Sequence, residues 1–279
     1  MIKGLRRQFL AAVLMAAGSG ASASYAATPD PVARGYEVSE DGLHLVLNVA
    51  GNWLYVYENG ERTRTYSVSV GLPGYETPPG EYNIGHINWN PWWRPPDSEW
   101  ARGRTAEPPG SPTNPMGRVK IHFAPLLYIH GTPESEALGY PASRGCVRMR
   151  NDDAIELARL IHSYASPRLQ QSTLDELVAS PTRDRTINLS QPVRFTAHYE
   201  VATVENGFLV IYPDIYGLVP NQLRDQVELA LEQHGVDLRR VNQEHLERLL
   251  NKGATRRVVI AMDDLVPGWR PGRTTSPQR

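Results

Sequence analysis

Residues 128–148 read YIHGTPESEALGYPASRGCVR, and this stretch decides both how the chain folds and what chemistry it can carry. It begins with a short apolar run typical of a β-strand, which delivers His130 at its end. Cys146 comes sixteen residues after that histidine, directly behind Gly145 in a tight turn. If His130 ends one strand and Cys146 begins the next, the intervening loop folds back and brings the imidazole to the thiol.

Cys146 is the only cysteine of the chain, so it has no partner for a disulfide within its own chain. Three roles remain open: a buried inert thiol, one half of an intermolecular disulfide, or a nucleophile. Arg144 and Arg148 place positive charge near the turn, a setting that lowers the pKa of a thiol. We therefore interpret Cys146 as a nucleophile with a lowered pKa.

A cysteine nucleophile needs a base, a group that orients the base, and hydrogen-bond donors for an oxyanion. His130 is the candidate base, although an isolated histidine is more often structural. The carbonyl of Gly131 is placed to accept the Nδ1 hydrogen of His130, in the role of the carboxylate in a Ser-His-Asp triad. The backbone N–H groups of Gly145 and Cys146 are the candidate oxyanion donors.

The surrounding pattern predicts a mainly β catalytic domain over residues 36–166. Alternating apolar and polar residues indicate strands within residues 43–70, with an Asn-Gly hairpin turn at residues 58–61. Residues 89–117 are rich in proline and predict a long ordered loop. One helix is expected after the nucleophile, from Asn151 to about Tyr164, with an Asn or Asp cap.

Two further units are predicted beyond the catalytic domain. Residues 167–190 are polar and mixed, and we interpret them as a connector. Residues 191–265 combine strand patterns, another Asn-Gly hairpin signal and two amphipathic helices, which indicates a smaller C-terminal α+β region. Residues 266–279 are rich in Pro, Gly and Arg and are predicted to be disordered.

The first 26 residues have the features of a signal peptide. Lys3, Arg6 and Arg7 precede an apolar run from Phe9 to Ala17, and small residues lead to a plausible cleavage site after Ala26. This run is shorter than the roughly 20 residues that span a membrane, so an uncleaved anchor is the weaker alternative. We expect an exported protein of the periplasm, with no stable membrane span after cleavage.

Composition excludes several other functions. The formal net charge of −1 provides no bulk attraction to nucleic acid, so no nucleic-acid partner is expected. The chain has no Walker-type loop, no CxxC pair and no HExxH stretch, which removes support for nucleotide and zinc chemistry. The 23 prolines and 23 glycines favour many turns and a largely β architecture.

Residues 128–132 and 143–148 together resemble the active-site signature of the YkuD-type L,D-transpeptidases. Upstream, residues 53–60 are similar to the opening hairpin of that family and residues 77–82 to its TPxG element. The resemblance covers residues 43–161. Many members have histidine where this chain has Arg144.

The resemblance implies a β-sandwich catalytic domain and a cysteine acyltransferase that acts on peptidoglycan stem peptides without a metal or organic cofactor. Cys146 would attack the carbonyl of the third stem residue, release the terminal D-alanine and form a thioester, with His130 as general acid and base. An amine of a second stem would then give a 3-3 cross-link, or the lysine of an envelope lipoprotein would become attached.

Two alternatives stay open beside this function. With water as the acceptor, the same acyl-enzyme would give an L,D-carboxypeptidase or amidase. A binding protein of the envelope with an incidental thiol is the other alternative. The residues expected to contact the substrate are Ser143, Arg144, Arg148 and Tyr128, and for the two arginines a solvated surface charge is an equal interpretation.

Overall fold

The computed structural model describes residues 36–253 and 255–270. Its largest element is a sheet of eight strands: β1 (Leu43–Asn48), β2 (Trp53–Glu58), β3 (Glu61–Ser67), β4 (Gly80–Trp89), β5 (Val119–Ala124), β6 (Leu127–Thr132), β7 (Val147–Arg150) and β8 (Arg185–His198). Their spatial order is β3-β2-β1-β8-β4-β5-β6-β7. Neighbours are antiparallel, except that β1 pairs with β8 and β6 with β7 in parallel. The expected mainly β fold is confirmed.

The segment after β3 joins the two ends of this sheet. The Ser69 N–H donates to the Arg148 carbonyl and the Arg148 N–H donates to the Ser69 carbonyl, both at 2.8 Å. Since β3 and β7 are the first and last strands in the order, this bridge closes the sheet on itself. Alternate residues of the strands fill the interior, among them the fully buried Leu45, Ile121 and Ile129.

Helix α1 (Asn151–Ala165) follows β7 directly, as the sequence predicts. Apolar residues recur along it at helical spacing, and this stripe is buried in the main core: Ala154, Leu157, Ala158, Ile161 and Ala165. Neither an Asn nor an Asp caps the helix, because Arg150 is the N-cap residue and its side chain forms no cap hydrogen bond. The helix is held by its packing against the sheet rather than by a cap.

Strand β8 crosses the predicted boundary between connector and C-terminal region. Residues 185–190 belong to the predicted connector and residues 191–198 to the predicted C-terminal region, yet together they lie in the large sheet between β1 and β4. Val193 and Phe195 are buried in its core. Helix α2 (Gln171–Ala179) also packs on this core through Leu174 and Leu177. The catalytic sheet is therefore completed by residues beyond 166.

The C-terminal α+β region is present as a second, smaller layer. Its sheet has the order β11-β10-β9 and is covered by helices. The elements are β9 (Ala202–Glu205), β10 (Phe208–Ile211), α3 (Leu223–Gln233), α4 (Gln243–Gly253), β11 (Val258–Ala261) and α5 (Met262–Leu265). Strand β10 connects the two parts, because Leu209 and Ile211 lie in the second core while Val210 lies in the first.

The predicted signal peptide, residues 1–26, lies outside the described residues, as does the tail beyond residue 270. In the described part of the predicted disordered tail, Val266 is buried and Trp269 packs against the second core. These two residues of the segment therefore belong to the second core, and disorder of the tail as a whole stays a prediction. Across residues 36–253 and 255–270, no helix combines the length and hydropathy that crossing a membrane requires.

Candidate active site

The pairing of β6 with β7 sets the geometry of the candidate site. Ile129 is opposite Val147 and His130 is opposite Arg148. One step back along the same parallel register, Tyr128 is beside Cys146. Opposite residues of paired strands share a face of the sheet, and so do residues two apart along one strand. The side chains of Tyr128, His130, Cys146 and Arg148 therefore project from one face, while Ile129 and Val147 point into the core.

His130 is held as a neutral base. Its side chain is 1% exposed, and its Nδ1 lies 2.7 Å from the Gly131 carbonyl oxygen. A carbonyl can only accept, so Nδ1 carries the hydrogen and Nε2 keeps its lone pair. Burial lowers the pKa of His130 to about 4, and the charges of Arg148 and Lys120 act in the same direction. At neutral pH the imidazole is therefore uncharged and able to accept a proton.

Cys146 is half-buried, and its Sγ–H donates to the Leu126 carbonyl over 3.6 Å. Burial raises the pKa of this thiol to about 11. A hydrogen bond from the Tyr128 backbone and the charges of Arg148 and Lys120 lower the pKa, but burial outweighs them. The expectation of a lowered thiol pKa is wrong, because desolvation dominates over the nearby positive charge.

The turn before Cys146 is held from within by Ser143. Its hydroxyl donates to the Cys146 carbonyl at 2.5 Å and accepts from the Gly145 N–H at 3.1 Å. The side chain of Ser143 is almost fully buried, and its two hydrogen bonds shape the turn; its expected contact with substrate stays a prediction. The Gly145 N–H, expected to be an oxyanion donor, is engaged by Ser143. Gly145 itself has φ +100°, which favours glycine at this position.

A second set of hydrogen bonds supports the same turn from outside. The Thr77 hydroxyl donates to the Gly145 carbonyl at 3.0 Å and accepts from the Gly71 N–H at 2.9 Å. The Tyr216 hydroxyl donates to the Gly71 carbonyl at 2.7 Å and accepts from the Thr77 N–H at 3.2 Å. Sequence reasoning missed these roles for Thr77 and Tyr216, because Tyr216 lies 70 residues beyond Cys146 and no local pattern relates the two.

Asn151 fixes the end of β6. Its Oδ1 accepts from the Arg118 N–H at 2.9 Å and its Nδ2 donates to the Thr132 carbonyl at 3.3 Å. A Cβ on Gly131 would lie 2.2 Å from this Oδ1, so the backbone that carries the acceptor for His130 has no room for a side chain. Asn151 therefore positions Gly131 and does not have the capping role in α1 that the sequence predicts.

The two arginines of the motif take different places. Arg148 projects from the same face as Cys146, and its guanidinium pairs with Glu134 at 3.2 Å. The guanidinium of Arg144 instead lies between two aromatic rings, 4.7 Å from the centre of Tyr75 and 4.6 Å from that of Trp100. Arg144 is absent from the groups that shift the thiol pKa. It connects the turn to two loops of the surface.

The face that carries Cys146 continues across β5 and β4 as a polar row. Lys120 is opposite His130, His122 is opposite Tyr128, and His86 is opposite His122. The His86 and His122 rings lie 4.0 Å apart, and the His122 and Tyr128 rings 4.6 Å apart. Sequence reasoning missed this row. The signal was present in β5, where Lys120 and His122 alternate with the buried Val119, Ile121 and Phe123.

Comparison with known proteins is consistent with this geometry. A family model described as the L,D-transpeptidase catalytic domain (YkuD) matches residues 43–184, just over half of the 279 residues. The probable L,D-transpeptidase ErfK/SrfK of Salmonella typhimurium is 37% identical over 117 residues, which are 39% of this chain and 38% of that protein. The probable L,D-transpeptidase YbiS of Escherichia coli K12 is 34% identical over 125 residues, again 39% and 38% of the two chains.

The chain thus spans less than half of the length of these relatives. Among solved structures, L,D-transpeptidase 3 from Mycobacterium tuberculosis matches with a TM-score of 0.37 at 14% identity, over 56% of this chain and 61% of that one. A likeness at that level carries no conclusion about the site.

Proposed function

The chain belongs to the L,D-transpeptidase family, with the catalytic domain at residues 43–184, and from this premise we propose that it transfers peptidoglycan stem peptides through a thioester on Cys146. The donor is a stem peptide whose third residue is a diamino acid and whose fourth is a terminal D-alanine. The acceptor is an amine.

The first half of the reaction forms the acyl-enzyme. As the sulfur of Cys146 attacks the carbonyl carbon of the third residue, Nε2 of His130 takes the thiol proton. The backbone N–H of Cys146 donates to the developing oxyanion. Collapse of the tetrahedral intermediate breaks the bond to the terminal D-alanine, whose amine leaves with the proton from His130. The products of this half are a thioester and free D-alanine.

The second half transfers the acyl group. An acceptor amine, on a second stem or on the lysine of an envelope lipoprotein, attacks the thioester carbonyl. His130 removes the proton of that amine and returns it to the departing sulfur, which restores both neutral groups. Water in place of the amine would give hydrolysis, so acceptor choice alone separates transferase from carboxypeptidase.

One observation carries this proposal: the register of β6 and β7 puts the thiol and a neutral imidazole on one face, two register positions apart, with only the Ile129–Val147 pair between them. Neutral imidazole is needed because only that form accepts the thiol proton. The Gly131 carbonyl supports it by holding the tautomer whose free nitrogen is Nε2. The reaction of this neutral pair requires no metal or organic cofactor.

We further propose that the enzyme acts after export, in the periplasm. The basis is the basic and then apolar pattern of residues 1–26, which lie outside the described residues. The polymer that the proposed reaction modifies is extracytoplasmic, which agrees with that address. Sequencing the N-terminus of the protein recovered from a periplasmic fraction tests this part, and a mature chain beginning at Ala27 is the expected result.

Incubation of the full chain with defined muropeptides, followed by mass spectrometry, tests the reaction. We expect loss of D-alanine and formation of a dimer joined through two diamino acids. Cys146→Ser and His130→Gln should each reduce turnover by at least 1000-fold, roughly the loss from removing a member of a catalytic nucleophile–base pair. Both variants should retain the thermal melting profile of the wild type within a few degrees.

The products decide between the alternatives. Monomeric tripeptide without dimer would assign a hydrolase. A protein whose turnover is unchanged by Cys146→Ser would not use the thiol, and the proposed mechanism would fall. Arg168→Gln, an exposed substitution outside the site, serves as the matched surface control.

A further inference from the structure

Two of the positively charged side chains around the turn already have partners. The Arg148 guanidinium forms an ion pair with Glu134 at 3.2 Å. The Arg144 guanidinium is stacked between Tyr75 and Trp100. Both cations therefore hold loops of the protein in place, and a ligand that bound either of them would have to displace its present partner.

Lys120 differs from both arginines. It lies in β5 opposite His130, on the face that carries the thiol. Its ammonium nitrogen is 4.7 Å from the centre of the Tyr128 ring, which directs it toward the strand position beside Cys146. Within the described part of the chain, this ammonium group has no hydrogen bond and no carboxylate within 4.0 Å.

An ammonium group in this position is costly unless something neutralises it. Lys120 is half-buried, and burial lowers its pKa against the opposing influence of Asp184 and Cys146. Asp184 lies more than 4.0 Å from this ammonium group and forms no ion pair with it, and its carboxylate accepts a hydrogen bond from Asn88 at 2.6 Å. A charge that is partly desolvated and left without a counter-ion gains most from an anion that the ligand supplies.

We propose that Lys120 binds the terminal carboxylate of the donor peptide and so makes the site selective for a donor that ends in a free D-residue. This inference rests on the proposed function, and it goes beyond it by assigning a specificity-determining residue. Lys120 acts on the leaving residue and takes no part in bond making or breaking.

The spacing of the strands fits this assignment. Neighbouring strands lie about 4.8 Å apart and a strand rises about 3.3 Å per residue, so Lys120 on β5, which is two strands across and two residues along from Cys146 on β7, is roughly 12 Å from it between backbones. The lysine side chain extends over the Tyr128 ring and covers part of that separation, which leaves a gap of several ångströms between its ammonium group and the sulfur. The carboxylate of the leaving residue is three bonds, about 3–4 Å, from the carbonyl carbon that the sulfur attacks. That carboxylate therefore falls in the gap.

Paired donor peptides test the proposal. One donor ends in free D-alanine, a second ends in D-alanine amide, and a third keeps the free terminus but has the side-chain carboxyl of the diamino acid amidated. We expect Lys120→Gln to reduce kcat/KM for the first and third donors by roughly 10- to 100-fold, as for loss of a charged hydrogen bond. For the terminal amide the reduction should be at least fivefold smaller.

Two further variants complete the design. Lys120→Arg keeps the charge and should retain most of the preference for the free terminus. Lys252→Gln makes the same change at an exposed position in α4 and should leave the preference as in the wild type. Equal losses on all donors in Lys120→Gln would overturn the proposal, as would no loss on any. A loss that disappears only when the diamino acid is amidated would assign Lys120 to that other carboxylate, and would also overturn it.

A binding measurement separates this proposal from the proposed function. Alkylation of Cys146 by iodoacetamide, followed by intact mass spectrometry, measures how well a bound donor protects the thiol. The donor with a free terminal carboxylate should protect Cys146 at least tenfold better than the donor with a terminal amide. Lys120→Gln should remove that difference. Protection that follows this pattern supports carboxylate binding even in a protein that turns over no muropeptide. Turnover without a difference in protection would leave the proposed function standing and reject the role of Lys120.

Discussion

The charge state of the resting thiol is the property of this site that most directly tests the reasoning. The pKa of Cys146 is raised from 9.0 to about 11 by burial. At pH 8 a thiol with a pKa of 9 is about one-tenth thiolate, whereas a pKa of 11 leaves about one part in a thousand, so the thiolate fraction falls roughly 100-fold. The higher intrinsic nucleophilicity of a more basic thiolate recovers up to about tenfold of this loss.

Alkylation by iodoacetamide, followed by intact mass spectrometry, measures this property. Because the chain has a single cysteine, every adduct reports on Cys146. We expect a rate at pH 8 about tenfold below that of a model thiol with a pKa of 9. The rate should rise close to tenfold per pH unit up to about pH 10 without a plateau. Arg148→Gln should slow it further, because Arg148 lowers the thiol pKa.

A plateau with a midpoint below pH 8.5 would refute the reasoning. It would mean that thiolate and imidazolium form a stable pair in the free enzyme, so that positive charge outweighs burial. The loss of kcat/KM at low pH is a second measurement of whether burial or charge sets the pKa values of this pair. With a His130 pKa of about 4, activity should be lost only as the pH falls through about 4, well below the ordinary histidine value of 6.5.

Three further predictions concern stability and the support of the site. Acidification from pH 7 to pH 5 should lower the free energy of unfolding by several kcal/mol: four buried histidines contribute up to about 2 kcal/mol each, and Glu200, whose pKa burial raises to about 7, opposes them by about 2 kcal/mol. The four histidines are His44, His130, His162 and His198. Their pKa values in the folded protein, about 3 to 4, lie below the value of 6.5 in the unfolded chain, so the unfolded state binds more protons between pH 7 and pH 5. A melting temperature at pH 5 within a few degrees of that at pH 7 would contradict this. Gly131→Ala should destabilise the fold by about 1–3 kcal/mol in urea unfolding, because its Cβ meets Asn151, whereas Gly85→Ala meets nothing within 4 Å and is the control. Tyr216→Phe should slow turnover several-fold at a cost near 1 kcal/mol in stability, and an equal effect on turnover from Tyr164→Phe, whose hydroxyl bonds Glu58, would exclude a positioning role.

Local pattern was sufficient for much of the fold. A short apolar run predicted the strand that carries His130, and the Asn and Asp residues at residues 151–153 predicted α1 close to its observed bounds. The position of β8 was beyond that reasoning. Its parallel pairing with β1 joins residues about 150 apart, and no local pattern distinguishes a central strand of the first sheet from a strand of a second unit.

Within the site, the residues that sequence reasoning identified are those whose chemistry is unusual in any context, a lone thiol and a histidine before glycine. The residues that it missed act through position. Thr77 and Tyr216 are ordinary hydroxyl residues until the fold brings them to the turn. Lys120 is an ordinary surface-type residue until pairing with β6 places it opposite His130, on the face that carries the thiol.

The error about the thiol pKa has the same origin and bears on the mechanism. Sequence displays the charges of Arg144 and Arg148, but desolvation arises only when distant segments cover the sulfur. The resting site consequently holds a neutral thiol and a neutral imidazole, with the cations Lys120 and Arg148 near them. The sulfur becomes charged only as His130 takes its proton, so the charge arises during the attack and not before it. The Cys146 N–H is a dipole that is fixed before the reaction and matched only when the oxyanion forms, so it lowers the barrier rather than the ground state, which is how a buried, weakly acidic thiol can still be an effective nucleophile.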